Sequence, residues 1–218
     1  MKKIFFGSLM AFLSLQACAD NPLYETGPAQ DSSFVRFLNA GSDKASVVNG
    51  KAKVALGAKD EDRVSRFYPV KAGDKLSANV QIGAAKGSVE VTAKPGEFIT
   101  IAVVNKGNTL ETVILREAPT DFNAMRSSIA LLNADNSCSA AGLTGGAKGV
   151  MIFENVNAGA MTRRLVNPVS LKVQATCGTQ AVGSAVDMGQ LQAGERYSVI
   201  VIPARKGHQV FSVRDITS

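Results

Sequence analysis

The sequence predicts an all-β protein: two tandem β-sandwich domains after a cleaved signal peptide. Three observations carry this. The 218-residue chain repeats itself at long period, its apolar stretches are short with turn residues between them, and hardly any segment sustains helical periodicity. About seven short strands per hundred residues is the density of a sandwich.

Residues 1–19 read as the signal peptide. Lys2 and Lys3 precede the apolar run from Ile4 to Leu15, which suits an export signal and is too short to cross a hydrocarbon core of about 30 Å as a helix. "SLQACAD", residues 14–20, then holds two processing signals. Ala17-Cys18-Ala19 before Asp20 is an A-x-A cleavage site that discards the cysteine, whereas Leu15-Gln16-Ala17-Cys18 approximates a lipobox that would tether the chain through a lipidated Cys18. Gln16 is bulky and polar where a lipobox carries a small or apolar residue. Cleavage at Ala19 is therefore the expected processing, leaving a soluble exported protein, and lipid anchoring is the alternative. No later run approaches the roughly 18 apolar residues of a spanning helix.

Residues 20–32 form an extended N-terminal arm, "NPLYETGPAQDS" after Asp20, with Pro22, Gly27 and Pro28 and no periodicity. Its Leu23-Tyr24 pair is amphipathic. The arm is either a disordered leader or a segment that docks on its own domain or on a partner.

Residues 33–118 are β-sandwich domain 1 and residues 119–218 β-sandwich domain 2, because the repeat divides the chain there. Ser33-Phe34-Val35-Arg36-Phe37-Leu38-Asn39-Ala40 returns 94 residues later as Ser127-Ser128-Ile129-Ala130-Leu131-Leu132-Asn133-Ala134. "GEFITIAVVNKGNTLETVILRE" from Gly96 aligns without a gap on "GERYSVIVIPARKGHQVFSVRD" from Gly194, an offset of 98. Each of these stretches reads as a β-hairpin broken at Lys and Gly. Val113 and Leu115 face one way in the first copy, Phe211 and Val213 in the second, and the polar ends Arg116-Glu117 and Arg214-Asp215 match.

Between these marks the first half offers strands near Val47 to Leu56, Val64 to Val70, Leu76 to Ile82 and Ser88 to Thr92. The second offers Val150 to Phe153, Arg163 to Val166, Val169 to Thr176 and Ala181 to Met188. Asn49-Gly50, Ala72-Gly73-Asp74, Pro95-Gly96, Gly107-Asn108, Gly159, Gly178 and Gly194 supply the turns. Pro119 and Thr120-Asp121 interrupt the alternation at the domain boundary.

Cleavage removes two lysines and no acid, so the formal charge falls from +6 to +4. Neither half carries the Lys/Arg stripe of a nucleic-acid binder. Cys138 and Cys177 are an even pair in an exported chain, most simply a disulfide, with two separate buried thiols as the alternative. Two distant cysteines and the single histidine do not have a zinc site's spacing.

Catalytic groups are scarce. His208 begins the last strand beside Lys206-Gly207 and is expected to face solvent at a loop edge; no G-x-S-x-G elbow accompanies it. Asp60-Glu61-Asp62, flanked by Lys59 and Arg63, reads as a solvated loop rather than a glycosidase pair. "GGAKG" at 145–149 has a phosphate loop's glycines without its Lys-Ser/Thr step and reads as a loop. No cofactor site and no enzyme activity are expected. Arg163 and Arg164 precede "LVNPVSLKV", which contains Lys172, and the three are candidate contacts to carboxylates of a polyanionic sugar or a partner, or else solvated strand-edge residues. Pro168 marks an edge or a strand start, since it cannot donate to a ladder.

The stretch "LYETGPAQDSSFVRFLNA" resembles the start of the mature alginate biosynthesis protein AlgF family: Leu23, Tyr24, Pro28, Ser33, Phe34, Val35, Arg36, Asn39 and Ala40 stand at its pattern positions. Asn167-Pro168-Val169 and Gly194-Glu195 match the family's second half. The cysteine pair is not part of the pattern. The resemblance implies a periplasmic, non-catalytic adaptor of two β-sandwiches, required for O-acetylation of an exopolysaccharide, with alginate expected and cellulose the relative's polymer. Its partners would be periplasmic polysaccharide O-acetyltransferases and the membrane acetylation machinery, and possible contact with the anionic polysaccharide itself is part of the expectation. The alternative is a carbohydrate-binding module that presents the polymer, which the absence of tryptophan and the presence of three tyrosines weaken.

Overall fold

The computed structural model describes residues 31–119 and 123–217; the processing site, Cys18, Leu23 and Tyr24 lie outside them. The described residues form sixteen strands and no helix. The first half contains β1 (Ser32–Asn39), β2 (Ala45–Asn49), β3 (Ala52–Leu56), β4 (Tyr68–Lys71), β5 (Lys75–Ile82), β6 (Ala85–Thr92), β7 (Phe98–Lys106) and β8 (Thr109–Glu117). The second contains β9 (Ser127–Asn133), β10 (Ala140–Gly145), β11 (Val150–Asn157), β12 (Met161–Val166), β13 (Ser170–Cys177), β14 (Gln180–Gln190), β15 (Arg196–Pro203) and β16 (His208–Arg214).

The two halves are the same sandwich. In the first, sheet β4-β1-β7-β8 faces sheet β3-β2-β5-β6; in the second, β12-β9-β15-β16 faces β11-β10-β13-β14. Adding eight to each strand number maps one topology on the other, including the parallel pairing of β1 with β7 and of β9 with β15. The aligned hairpins are β7–β8 and β15–β16.

The paired asparagines of the repeat do equivalent work. Asn39 Nδ2 donates to the carbonyls of Asp43 (2.7 Å) and Gly57 (2.5 Å), and Asn133 Nδ2 to those of Cys138 (2.8 Å) and Val156 (3.0 Å). Each buried amide thus ties the loop after its strand to the neighbouring sheet, and in doing so satisfies both of its own donors.

Several elements depart from the sequence expectation. Val47–Leu56 is a hairpin, β2 and β3, turning at Asn49-Gly50. In the stretch read as one strand from Val64, two isolated bridges, Val64 to Leu38 and Phe67 to Thr217, precede β4. Strand β10, "AAGLTG", carries too few β-branched residues to announce itself; its glycines are demanded by packing, since a Cβ on Gly142 would lie 2.5 Å from Thr176 Oγ1. The loop at 145–149 is a tight turn with Gly146 and Gly149 at positive φ.

Burial defines three cores. Val35, Phe37, Ile99 and Ile101 meet the outer sheet of the first half, and Ile129, Leu131, Val199 and Val201 that of the second. The third core lies between the halves, where the opposite faces of the two inner sheets meet: Leu38, Ala102, Val113 and Leu115 against Leu132, Ile200, Ile202 and Phe211. Four sheets therefore stack in series, and Val113, Leu115 and Phe211 all point into this seam, with Val213 packed against it. Central strands buried on both faces have no polar side to show, which is why "ITIAVV" and "YSVIVI" run apolar without alternation.

Cys138 and Cys177 form a disulfide, which fits an oxidising compartment. Among the described residues no helix is long and apolar enough to cross a membrane.

Candidate functional site

At the end of the seam where β1 and β9 begin, charged side chains from both halves interlock. Arg36 points from β1 into the seam because its neighbours Val35 and Phe37 take the core side. Its guanidinium is buried and has every face used: Nη1 donates to Asp215 Oδ1 (2.7 Å), Nε to Thr100 Oγ1 (2.8 Å) and Nη2 to Ser198 Oγ (3.0 Å), while its Cζ lies 4.4 Å above the Phe67 ring. Ser198 Oγ donates in turn to Asp215 Oδ1 (2.7 Å).

The other oxygen of Asp215 accepts from Arg163 Nη2 (2.7 Å). Arg163 also reaches Glu117 Oε1 (2.7 Å), Ser128 Oγ and the Tyr197 carbonyl. Arg196 closes the chain with a 2.8 Å bond to Glu117 Oε1. Among the described residues, these three guanidiniums bridge Glu117 and Asp215, and two of them also lie against aromatic faces: Arg36 on Phe67 and Arg196, whose Cζ is 4.8 Å from the Phe98 centroid, with Phe98 stacked on Phe34 at 4.6 Å. Ring quadrupoles stabilise such desolvated cations by about 2 kcal/mol.

Burial alone would push the Asp215 carboxyl up, yet Arg36, Arg163 and the Ser198 hydroxyl outweigh it and hold it at about 2. For Arg196, burial leads and the nearby Arg163 adds to it; together they lower its pKa against the pull of Glu117. The C-terminal segment then crosses back: Phe67 N–H donates to the Ile216 carbonyl (2.8 Å).

Arg163, read from sequence as a contact for outside carboxylates, therefore spends its donors inside the molecule, with a side chain only 10% exposed. Arg164, next along the strand, is exposed and donates to the Ile152 carbonyl (3.0 Å). Together with Arg116 it rims a cleft of about 510 Å³ whose floor holds Glu117, Thr162 and Arg163 and which reaches Pro119. Arg116 donates from Nη1 to both carboxylate oxygens of Glu97, and at the equivalent place in the other half Arg214 pairs with Glu195 through Nε and Nη2. Lys172 is exposed on β13 and lines a different cleft with Thr144, Gln174 and Asp187. The structure thus brings Arg163 and Arg164 together but not Lys172. Phe34 and Val35 are packing residues, and Asn167 and Pro168 lie in the exposed turn before β13, where the Pro168 carbonyl accepts from Gln190.

No family model matches the chain, and no curated protein matches it. Among solved structures, a putative cell adhesion protein from Bacteroides uniformis is similar over 87% of this chain and 99% of its own, at 11% identity and a TM-score of 0.29. CBMbc, a family CBM26 protein from Eubacterium rectale Amy13K solved with maltoheptaose, is similar over 82% of this chain and 95% of its own, at 13% identity and a TM-score of 0.24. Likeness this distant carries no argument about this chain.

His208 corrects its expectation. Its side chain is 17% exposed rather than solvent-facing, and Nδ1 lies 2.7 Å from Oδ2 of the buried Asp135. Ser137 Oγ donates to the other oxygen of the same carboxylate (2.6 Å). Among the described residues, no hydrogen bond joins the imidazole to a hydroxyl, the arrangement a serine nucleophile needs. Asp60 is likewise more than a solvated loop residue, since it accepts from Gln209 of the other half (2.7 Å).

Sequence reasoning passed over Glu117, Asp215, Ser198 and Thr100 as site members. The signal was present in the matched polar ends of the two hairpins: Glu117 and Asp215 are equivalent positions, as are Thr100 and Ser198.

Proposed function

We propose that the protein is a periplasmic, non-catalytic adaptor for O-acetylation of an exopolysaccharide, alginate being the expected polymer, and that it holds polysaccharide O-acetyltransferases to the membrane acetylation machinery. The resemblance of residues 23–40 to the AlgF family leads to this reading. The observation that carries it structurally is the seam. A shared apolar core and a buried ion network join two sandwiches into one compact unit, a rigid body whose outward strands are free to present two surfaces in fixed relation. The cleft rimmed by Arg116 and Arg164 is the docking surface assigned to acidic side chains of a partner, because Arg164 is exposed and paired with no carboxylate among the described residues, and arginine at an interface binds carboxylates through its planar fork.

Affinity capture of the O-acetyltransferases tests this. The mature protein is expected to retain them, and an Arg164→Glu variant, whose substituted side chain is exposed and pairs with no carboxylate among the described residues, is expected to release them at an unchanged thermal midpoint. Equal capture by the variant would remove the cleft from the interface. No capture by the parent protein would end the adaptor reading.

A further inference from the structure

A second cleft opens at the opposite end of the seam, where β1 and β7 of one half and β15 of the other finish. It holds about 470 Å³, within the size range of sites that bind small ligands. Its cationic lining is Arg63, Lys106 and Arg205, with the amides of Asn105 and Gln209 beside them and no carboxylate. Arg63 is buried at the base, fixed by the carbonyls of Asn39 (3.0 Å) and Gly41 (3.4 Å) and by that of Ala58, and paired from behind with Asp60 at 3.4 Å. Burial lowers its pKa, with Asp60 and Asp62 opposing. Lys106 pairs with Glu111. Arg205 is exposed in the turn between β15 and β16 and makes no side-chain hydrogen bond or ion pair among the described residues.

We propose that this cleft binds a carboxylate-bearing oligosaccharide, an oligouronate. Lys106 and Arg205, one from each half, supply the cationic donors for a carboxylate. The amide nitrogens of Asn105 and Gln209 donate to Asp43 (3.5 Å) and Asp60 (2.7 Å), which leaves their amide oxygens to accept from sugar hydroxyls, and the apolar surface is made by small residues, Ala40, Ala58, Val104 and Ala204 among them. An acidic peptide fits less well: the walls are chain turns and strand ends, with no large apolar pocket for an anchoring side chain. Gly41 keeps the rim low, since a Cβ there would lie 2.6 Å from Asn105 Oδ1. The turns of the two aligned hairpins thus place Lys106 and Arg205 at this mouth. Choosing a uronate among acidic sugars rests on the acetylation reading; the cleft and its charge do not.

Calorimetric titration of the mature protein with a tetrauronate, with cellotetraose and with a tetraglutamate peptide tests the proposal. Tetrauronate is expected to bind saturably, and Lys106→Ala/Arg205→Ala to weaken it by about tenfold or more, as the loss of two charge-assisted contacts requires. Both positions are exposed, so the thermal midpoint should not move. Arg164→Glu should bind as the parent does, and cellotetraose should not bind. No binding of tetrauronate, equal affinity in the Lys106→Ala/Arg205→Ala variant, or tetraglutamate binding as tightly would overturn it. Because the titration contains no partner protein, its outcome is independent of whether the acetyltransferases are captured.

Discussion

Replacing Asp215 by asparagine tests the seam most directly. The substitution keeps the shape of the side chain and removes its charge. Among the described residues Arg36 then loses its only ionic partner, inside a site where both side chains are 2% exposed, and Arg163 keeps Glu117 alone. The new side-chain amide also turns an N–H toward one of the two guanidiniums, donor against donor. Breaking a buried pair in this way costs about 3–5 kcal/mol. A pH signature accompanies it. The Asp215 carboxyl is held at about 2 against about 3.9 in an unfolded chain, so its contribution is fully present above the unfolded value and is lost as pH falls through the folded one. That contribution is roughly 2–3 kcal/mol. Urea unfolding of both proteins between about pH 2 and 7 should give a stability gap that is widest at neutral pH and narrows below about pH 4. A gap under about 1 kcal/mol at neutral pH, or one that does not change with pH, would refute the assignment of Asp215 as the charge that balances Arg36.

Two further substitutions separate the cores. Cys138→Ser/Cys177→Ser removes a bridge closing a 39-residue separation and should lower stability by about 4 kcal/mol on the chain-entropy account; an unchanged urea midpoint would mean that the bridge constrains nothing. Phe211→Ala empties part of the seam beside Arg63, whose Cζ lies 5.5 Å from the ring. It should cost about 3–5 kcal/mol and leave the disulfide intact by mass spectrometry; a loss below about 1 kcal/mol would show that the halves do not depend on that contact.

Local order was readable residue by residue. The hairpins after Gly96 and Gly194 and the turns at glycine follow from alternation and from the backbone freedom of Gly, both properties of a few neighbouring residues. The disulfide followed from parity and export. What lay beyond reach was contact at long range. Arg36 looked like one polar residue in an alternating strand, and its partner Asp215 stands 179 positions away; Arg163 looked exposed because strand periodicity says which face a residue takes but not what covers that face. His208 was misread for the same reason, since the carboxylate that holds it belongs to a loop 73 positions earlier.

The sequence by itself determined that this protein is made of two copies of one β-sandwich, because short-period alternation, turn chemistry and the 94- and 98-residue offsets are all written along the chain. Only the tertiary structure decided that the copies share a third core, that the charges closing each hairpin neutralise arginines of both halves, and that two cationic clefts remain open at the ends of the seam. The physical reason is that burial and pairing of charge depend on what stands opposite, and opposition across a seam is fixed by packing, not by neighbours in sequence.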